Sequence, residues 1–431
     1  MKTPVGWSIK SLDELIELDV ETLSATTPRD FSFYYLDISA ASQGRLSIPA
    51  VTTDFFEAPS RARKVVRRGD VLMSMVRPNL KAFALFDQTL QPCVASTGFA
   101  VLRSKSETSA AFILYSILSE DVSNQIDGLV TGSNYPVINS TAVRALKILT
   151  PPKDEQSNIA EVLSTVDQAI EQTEALIAKQ KRIKTGLMQD LLTRGIDEHG
   201  QLRTEATHAF KDSPLGRIPV EWEVARLGEV AEISAGITLG KLHEGPDTEE
   251  LPYLRVANVQ DGYLDLTEVK SIRVPKSHIE KYTLKDGDVL MNEGGDFDKL
   301  GRGAVWRNQL DTCLHQNHVF KVRPQPEKLA SDYLAAVSAS PYGKTFFMMA
   351  SKQSTNLASI NSTQLKAFPI PMPSYKEQLR IQSQFGAFSE VLNGSALELK
   401  KHSSLKTALM QDLLTGRKRV HSLIPNEVYS S

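Results

Sequence analysis

The chain is 431 residues long, 41% hydrophobic and 23% charged, with a formal net charge of −2 and two cysteines. This is the composition of an ordinary soluble protein of two to four domains. No apolar run is long enough to cross a bilayer and the start carries no secretory stretch, so no membrane partner and a cytoplasmic location are expected.

Near the start, Pro4-Val5-Gly6-Trp7 leads into a series of short elements. Phe31 to Leu36 and Phe99 to Leu102 read as strands, and Ala110 to Leu118 as a helix. Arg61-Ala62-Arg63-Lys64-Val65-Val66-Arg67-Arg68 is a dense local basic run, and Gly69-Asp70 is a turn feeding a buried strand. A long helix starts at Pro151-Pro152, where proline is tolerated and Asp154 and Glu155 suit the positive dipole end. Its seam falls at Ile159, Leu163, Val166, Ile170, Thr173, Ile177, Gln180, Lys184, Leu187 and Leu191. Steps of four and three alternate along it, the heptad pattern of a coiled coil. Thr193-Arg194-Gly195 is the stop.

Beyond residue 218 the chain repeats itself. Pro219-Val220-Glu221-Trp222 echoes the start, and Tyr253 to Val256, Val289 to Met291 and Val319 to Val322 read as strands before a helix from Leu329 to Ala339. Gly287-Asp288-Val289-Leu290-Met291 matches Gly69-Asp70-Val71-Leu72-Met73, and Cys313 with Arg323 matches Cys93 with Arg103. From Ile138-Asn139-Ser140-Thr141 against Ile360-Asn361-Ser362-Thr363 the offset is constant. It holds to Leu187-Met188-Gln189-Asp190-Leu191-Leu192-Thr193, which returns unchanged as Leu409 to Thr415. The second seam is Ile381, Phe385, Phe388, Leu392, Ser395, Leu399, His402, Lys406, Leu409 and Leu413.

The fold class expected is therefore α/β (α+β): two mixed domains and two long helices of about 60 Å, forming an intrachain antiparallel coiled coil with pseudo-two-fold internal duplication. The expected boundaries are a domain at 1–150, a helix at 151–196, a linker at 197–218, a domain at 219–372, a helix at 373–417 and a tail at 418–431. Two copies are too few for a solenoid, and tethering favours pairing within the chain.

No catalytic signature stands out. Gly236-Ile237-Thr238-Leu239-Gly240-Lys241 is one residue short of a phosphate loop and has Leu242 where a hydroxyl is needed, so it reads as a turn. His315-x-x-His318 near Cys313 lacks the spacing of a metal site, and a sheet-edge polar cluster is the preferred reading, with no metal and no disulfide. There is no Asn-Pro-Pro-Tyr-like segment and no Phe-x-Gly-x-Gly cofactor loop.

Two variable domains, each ending in Ile-Asn-Ser-Thr, a proline-rich lead-in with Glu-Gln and a heptad helix closing on Gln-Asp-Leu-Leu-Thr, resemble the specificity subunit of Type I restriction-modification systems. The resemblance runs from about Trp7 to Thr415. It implies two target-recognition domains reading an asymmetric, split double-stranded DNA target, one half-site each, on a non-catalytic subunit that scaffolds two modification (methyltransferase) subunits and restriction (translocase and nuclease) subunits. S-adenosylmethionine, ATP and Mg would then sit on those partners, with no cofactor on this chain. Other readings are a duplicated coiled-coil scaffold that binds proteins, or the recognition subunit of a related methylation complex without Type I cleavage.

Arg and Lys read guanine, Asn and Gln read adenine, and further cations hold phosphates. In the first domain the candidates are Arg77, Asn79 and Lys81, Ser133, Asn134 and Tyr135, with Arg61, Arg63, Lys64, Arg67 and Arg68 as a phosphate rail or a solvated basic face. In the second they are Lys299, Arg302, Arg307, Gln316, Asn317, Lys352, Gln353 and Asn356. The matched pair Arg103 and Arg323 reads as structural.

Overall fold

The computed structural model describes residues 3–19, 21–132, 135–238, 245–295, 300–301, 303–353 and 358–420. It divides into two compact units, one of residues 1–174 with 397–431 and one of residues 175–396. Each is mixed helix and sheet. Among the described residues no helix is long and apolar enough to cross a membrane.

In the first unit one four-stranded sheet runs in the order Ile16–Leu18, Phe99–Ser104, Asp70–Ser74, Phe83–Leu85, and another in the order Thr53–Asp54, Ser32–Leu36, Cys93–Ser96, Ala62–Val66. Asp70–Ser74 is buried at every residue, which suits a central strand fed by Gly69 at a φ of 91°. The expected helix is Ala110–Leu118, capped by Ser109, whose hydroxyl accepts from Phe112 N.

The second unit repeats the plan. Its four-stranded sheet runs Ala231–Ala235, Val319–Pro324, Val289–Asn292, Gly303–Val305, and its three-stranded sheet runs Lys270–Pro275, Thr248–Leu254, Leu314–His315. Each unit has a parallel strand pair at the equivalent place: Tyr35 lies opposite Val94, and Tyr253 opposite Leu314.

The long helices are Lys153–Thr193 and Tyr375–Leu414. Every apolar seam residue expected from the heptads is buried or half-buried: Ile159, Leu163, Ile170, Leu191, Ile381, Phe385 and Leu413 are buried, and Val166, Ile177, Leu187, Phe388, Leu392, Leu399 and Leu409 half-buried. Within the first unit Thr173 meets His402, Asp167 meets Lys406 and Glu155 meets Arg419, so one helix number falls as the other rises and the pairing is antiparallel. Within the second unit Lys184 Nζ donates to Ser389 Oγ in the same sense.

Each helix ends as part of the other copy's core. Leu413 and Leu414 pack with Trp7, Ile159 and Leu163, while Leu191 and Leu192 pack with Trp222, Ile381 and Phe385. That role explains why the Leu-Leu block is the best preserved part of the repeat. It closes a hydrophobic core, where a change of one methylene is felt.

Candidate nucleic-acid interface

The repeated motifs account for the framework. Arg103 donates from Nε and Nη2 to the two oxygens of buried Asp70, at 2.8 and 2.7 Å, and Arg323 does the same to Asp288 at 2.7 and 2.8 Å. Both are two-bond pairs that tie one strand to the start of its neighbour, and the carboxylate bond holds each guanidinium above its usual pKa. The Glu-Gln pair is equally structural. Gln156 Oε1 accepts from Ser109 N at 3.0 Å and Gln378 Oε1 from Ala330 N at 2.8 Å, tying the start of each long helix to the cap of a domain helix.

On this frame the first domain builds a rim where the Asp70–Ser74 strand ends. Met75 N donates to Gly98 O at 2.8 Å, and Met75 O accepts from Ile138 N at 2.9 Å. Arg77 follows in a left-handed conformation, φ 48°, with its amide on Pro136 O at 2.7 Å. Its guanidinium lies 4.5 Å over the exposed Tyr135 ring. Asn79 is exposed in the turn Pro78–Leu80. Arg61, also exposed, joins the rim because its carbonyl accepts from Thr97 N at 2.8 Å. Arg77 and Tyr135 are thus brought together, with Arg61 tied nearby through its backbone and Asn79 two residues along the chain beside Lys81, whereas Ser133 and Asn134 lie outside the described residues.

Two first-domain candidates, Lys81 and Lys64, have partners within the protein. Lys81 donates to Leu118 O at 2.8 Å, capping the domain helix, and burial lowers its pKa. Lys64 is 8% exposed and donates to Asp19 Oδ2 at 2.8 Å and to Phe99 O. The basic run is a strand, Ala62–Val66, so every second side chain points inward and the continuous rail does not exist. Arg63 lies 4.9 Å over Phe55, Arg67 pairs with Glu21 at 2.6 Å and Arg68 with Asp87 at 2.6 Å. The last two are exposed pairs, worth little in water and open to exchange for a phosphate. Arg29, 4.7 Å over the exposed Phe56, is a basic-aromatic pair that periodicity gave no reason to single out.

The second domain repeats the rim with other side chains. Glu293 N donates to His318 O at 3.0 Å, and Glu293 O accepts from Ile360 N at 2.8 Å, the bonds made by Met75 in the first copy. A small sheet of Lys352–Gln353, Ala358–Ser359 and Gly294–Gly295 adjoins it, with Lys352 exposed. Gln316 and Asn317, half-buried, occupy the turn before Val319. Lys299, Arg302, Asn356 and the side chain of Gln353 lie outside the described residues. Arg307 stands at the other end of the sheet. Val305 pairs with Val289, at the start of the strand whose end forms the rim, and the Arg307 guanidinium bonds Asp332 with Asp286 at 3.9 Å.

His315 and His318 point to different places. His315 is fully buried with Nδ1 2.7 Å from Val319 O, and burial lowers its pKa to about 4. His318 is exposed, Nδ1 2.6 Å from Glu293 Oε2. Burial likewise raises the Cys313 thiol to about 12 and the Cys93 thiol to about 11. Among the described residues no group of three or more His, Cys, Asp and Glu gathers as a metal site. Gly236 belongs to a close backbone approach, since a Cβ there would fall 1.9 Å from His315 O.

The rims present guanidinium, amide, imidazole and aromatic groups, the inventory that contacts base edges and phosphates. The sequence matches the family described as Type I restriction modification DNA specificity domain over residues 4–181 and 219–401. The putative type I restriction enzyme MjaX specificity subunit of Methanocaldococcus jannaschii is 27% identical over 48% of this chain and 48% of its own length. The chain thus spans about half the length of that relative. The type I restriction enzyme MjaVIII specificity subunit of the same organism is 28% identical over 68% of this chain and 67% of its own. A chain solved in a study of complex assembly and conformational transition of the type I R-M system shares the fold, with a TM-score of 0.58 at 24% identity, covering 96% of this chain and 99% of that one.

Proposed function

The chain belongs to the family of Type I restriction modification DNA specificity domains, and on that premise we propose that it reads a bipartite duplex DNA target, one half-site per domain, for a Type I restriction-modification complex. The observation that carries this reading is the rim itself. Both copies keep the same backbone bonds, through Met75 in one and Glu293 in the other, yet set different side chains on them. A shared frame with unlike readers fits a target whose halves differ in sequence.

The chain is a non-catalytic subunit in this reading. Modification subunits would carry S-adenosylmethionine and methylate DNA, and restriction subunits would carry ATP and Mg, all in the cytoplasm. Recognition would rest on Arg61, Arg77, Asn79 and Tyr135 in one domain and on Gln316, Asn317 and Lys352 in the other, with Arg63, Arg67 and Arg68 as phosphate contacts. The test is methylome sequencing of a host expressing the chain with its methyltransferase. The expected result is one motif of two unlike halves around a fixed spacer. No motif, together with no salt-dependent DNA affinity of the complex, would favour a protein-binding scaffold.

A further inference from the structure

Arg255, Glu293, Gln316, His318 and Ser359 line one concavity at the rim of the second domain. Glu293 is an anomaly there. A carboxylate facing phosphates is repelled, so on a DNA-reading surface it is favourable where it spends its lone pairs on a base donor. We propose that Glu293, held by His318, accepts from the exocyclic amine of a cytosine in the second half-site. The inference rests on the reading of this domain as a DNA reader.

The choice of base follows from the groove edges. Cytosine presents its N4 amine as a donor, whereas adenine sets its N6 amine beside the N7 lone pair. A carboxylate carries acceptors only, so N7 opposes it and cytosine does not. Glu293 is also well placed. Its backbone is fixed on both sides by His318 O and Ile360 N, and its Oε2 lies 2.6 Å from His318 Nδ1. That contact assigns the Nδ1 proton to the bond with the carboxylate. His318 is therefore a positioning residue, and Asn317 Nδ2 stands 3.5 Å from its other nitrogen.

Comparison of the two copies separates this role from a structural one. In the first domain the positions of Glu293 and His318 are Met75 and Gly98, which make the same backbone contact at 2.8 Å with no ionisable side chain. A Cβ at Gly98 would come within 2.7 Å of Ile38 Cδ1, so that copy fills the space with an apolar group. The frame needs neither the acid nor the imidazole.

The test uses the complete complex and duplexes carrying each base at each position of the second half-site, read by binding competition and by methylation. Glu293→Gln offers a donor beside an acceptor, the pattern that suits adenine. Discrimination for cytosine at one position should fall about tenfold to a hundredfold in favour of adenine, with the first half-site unchanged. His318→Ala should blur the same position, and His318→Asn, whose amide can still donate to the carboxylate, should restore it. If Glu293→Gln fails to fold, the His318 variants read the same position. A second half-site without a cytosine, or one whose preferences neither substitution moves, overturns the proposal alone. A wild-type complex with no bipartite motif overturns the parent reading as well.

Discussion

Arg419 donates from Nε and Nη2 to the two oxygens of Glu155, at 2.7 and 2.8 Å, while Trp7 Nε1 donates to the same carboxylate at 3.0 Å. The second unit reaches the same arrangement with Arg203 and Trp222 on Glu377. The two arginines are not at equivalent repeat positions, so each unit supplies its own cation to the buried acid that the repeat shares. Gly195 and Gly416, both at positive φ, let the helix ends approach these sites; a Cβ on Gly195 would fall 2.3 Å from Trp222, and one on Gly416 2.5 Å from Pro4 Cγ.

Removing one partner of the second clasp should be costly. Glu377 is 3% exposed and Arg203 8%, so Glu377→Ala leaves a buried guanidinium without its counter-charge. A loss of about 3 to 5 kcal/mol is expected, read by denaturant titration of the full chain. In the first clasp burial opposes the charged form of Glu155, but the bonds from Arg419 and Trp7 outweigh it and hold its pKa below the usual range. Its stabilisation is complete above about pH 4.5, the ordinary glutamate value, and fades as pH falls through the depressed folded value.

His315 predicts a second acid sensitivity, in a different window. Its pKa of about 4 lies below the ordinary 6.5 because burial disfavours the imidazolium. Between those values the unfolded chain binds a proton that the folded chain does not, so stability is full above 6.5 and falls as pH drops towards 4. The total is on the order of 3 kcal/mol. NMR titration of the His315 ring should place its midpoint near 4, and a midpoint near 6.5 would refute the assignment.

Arg77 and Lys64 should part company on substitution. Arg77 is braced on Tyr135 at the rim, so Arg77→Ala should relax base preference in the first half-site by about 1 to 3 kcal/mol. Lys64→Met should leave both half-sites unchanged and lower thermal stability, because it removes the pair between buried Lys64 and half-buried Asp19. A loss of selectivity with Lys64→Met, measured on the same duplexes, would restore the continuous rail.

A fragment ending near His208 should self-associate. The first core receives Leu413 and Leu414, and a second copy of the fragment offers the identical block at Leu191 and Leu192. Burying such a leucine contributes about 1.5 to 3 kcal/mol. Sedimentation should show a dimer, and with modification subunits the methylated motif should become symmetric. A folded monomer would contradict it.

How much of this could be read beforehand depended on sequence distance. The apolar run Ala110 to Leu118 and the heptad seams declare themselves, since their partners repeat every few residues. The Arg103 and Arg323 pairs were legible because two copies kept them. Lys64 was not, since its partner Asp19 lies 45 residues away and the basic run masks a strand period. His318 and Glu293 are 25 residues apart, and only the sheet register brings them together. The clasp arginines were invisible for the opposite reason, having no counterpart at the repeat offset.

The make-up of the units sets an order of completion during synthesis. Residues 175–396 form one uninterrupted stretch, whereas the first unit needs Leu413 and Leu414 to close over Ile159 and Leu163. At ribosomal speeds of about 5 to 20 residues per second, those leucines emerge roughly 10 to 50 seconds later. Throughout that delay the earlier-translated domain carries an open leucine socket, available to any nascent neighbour on the same message. The half that is written first is finished last.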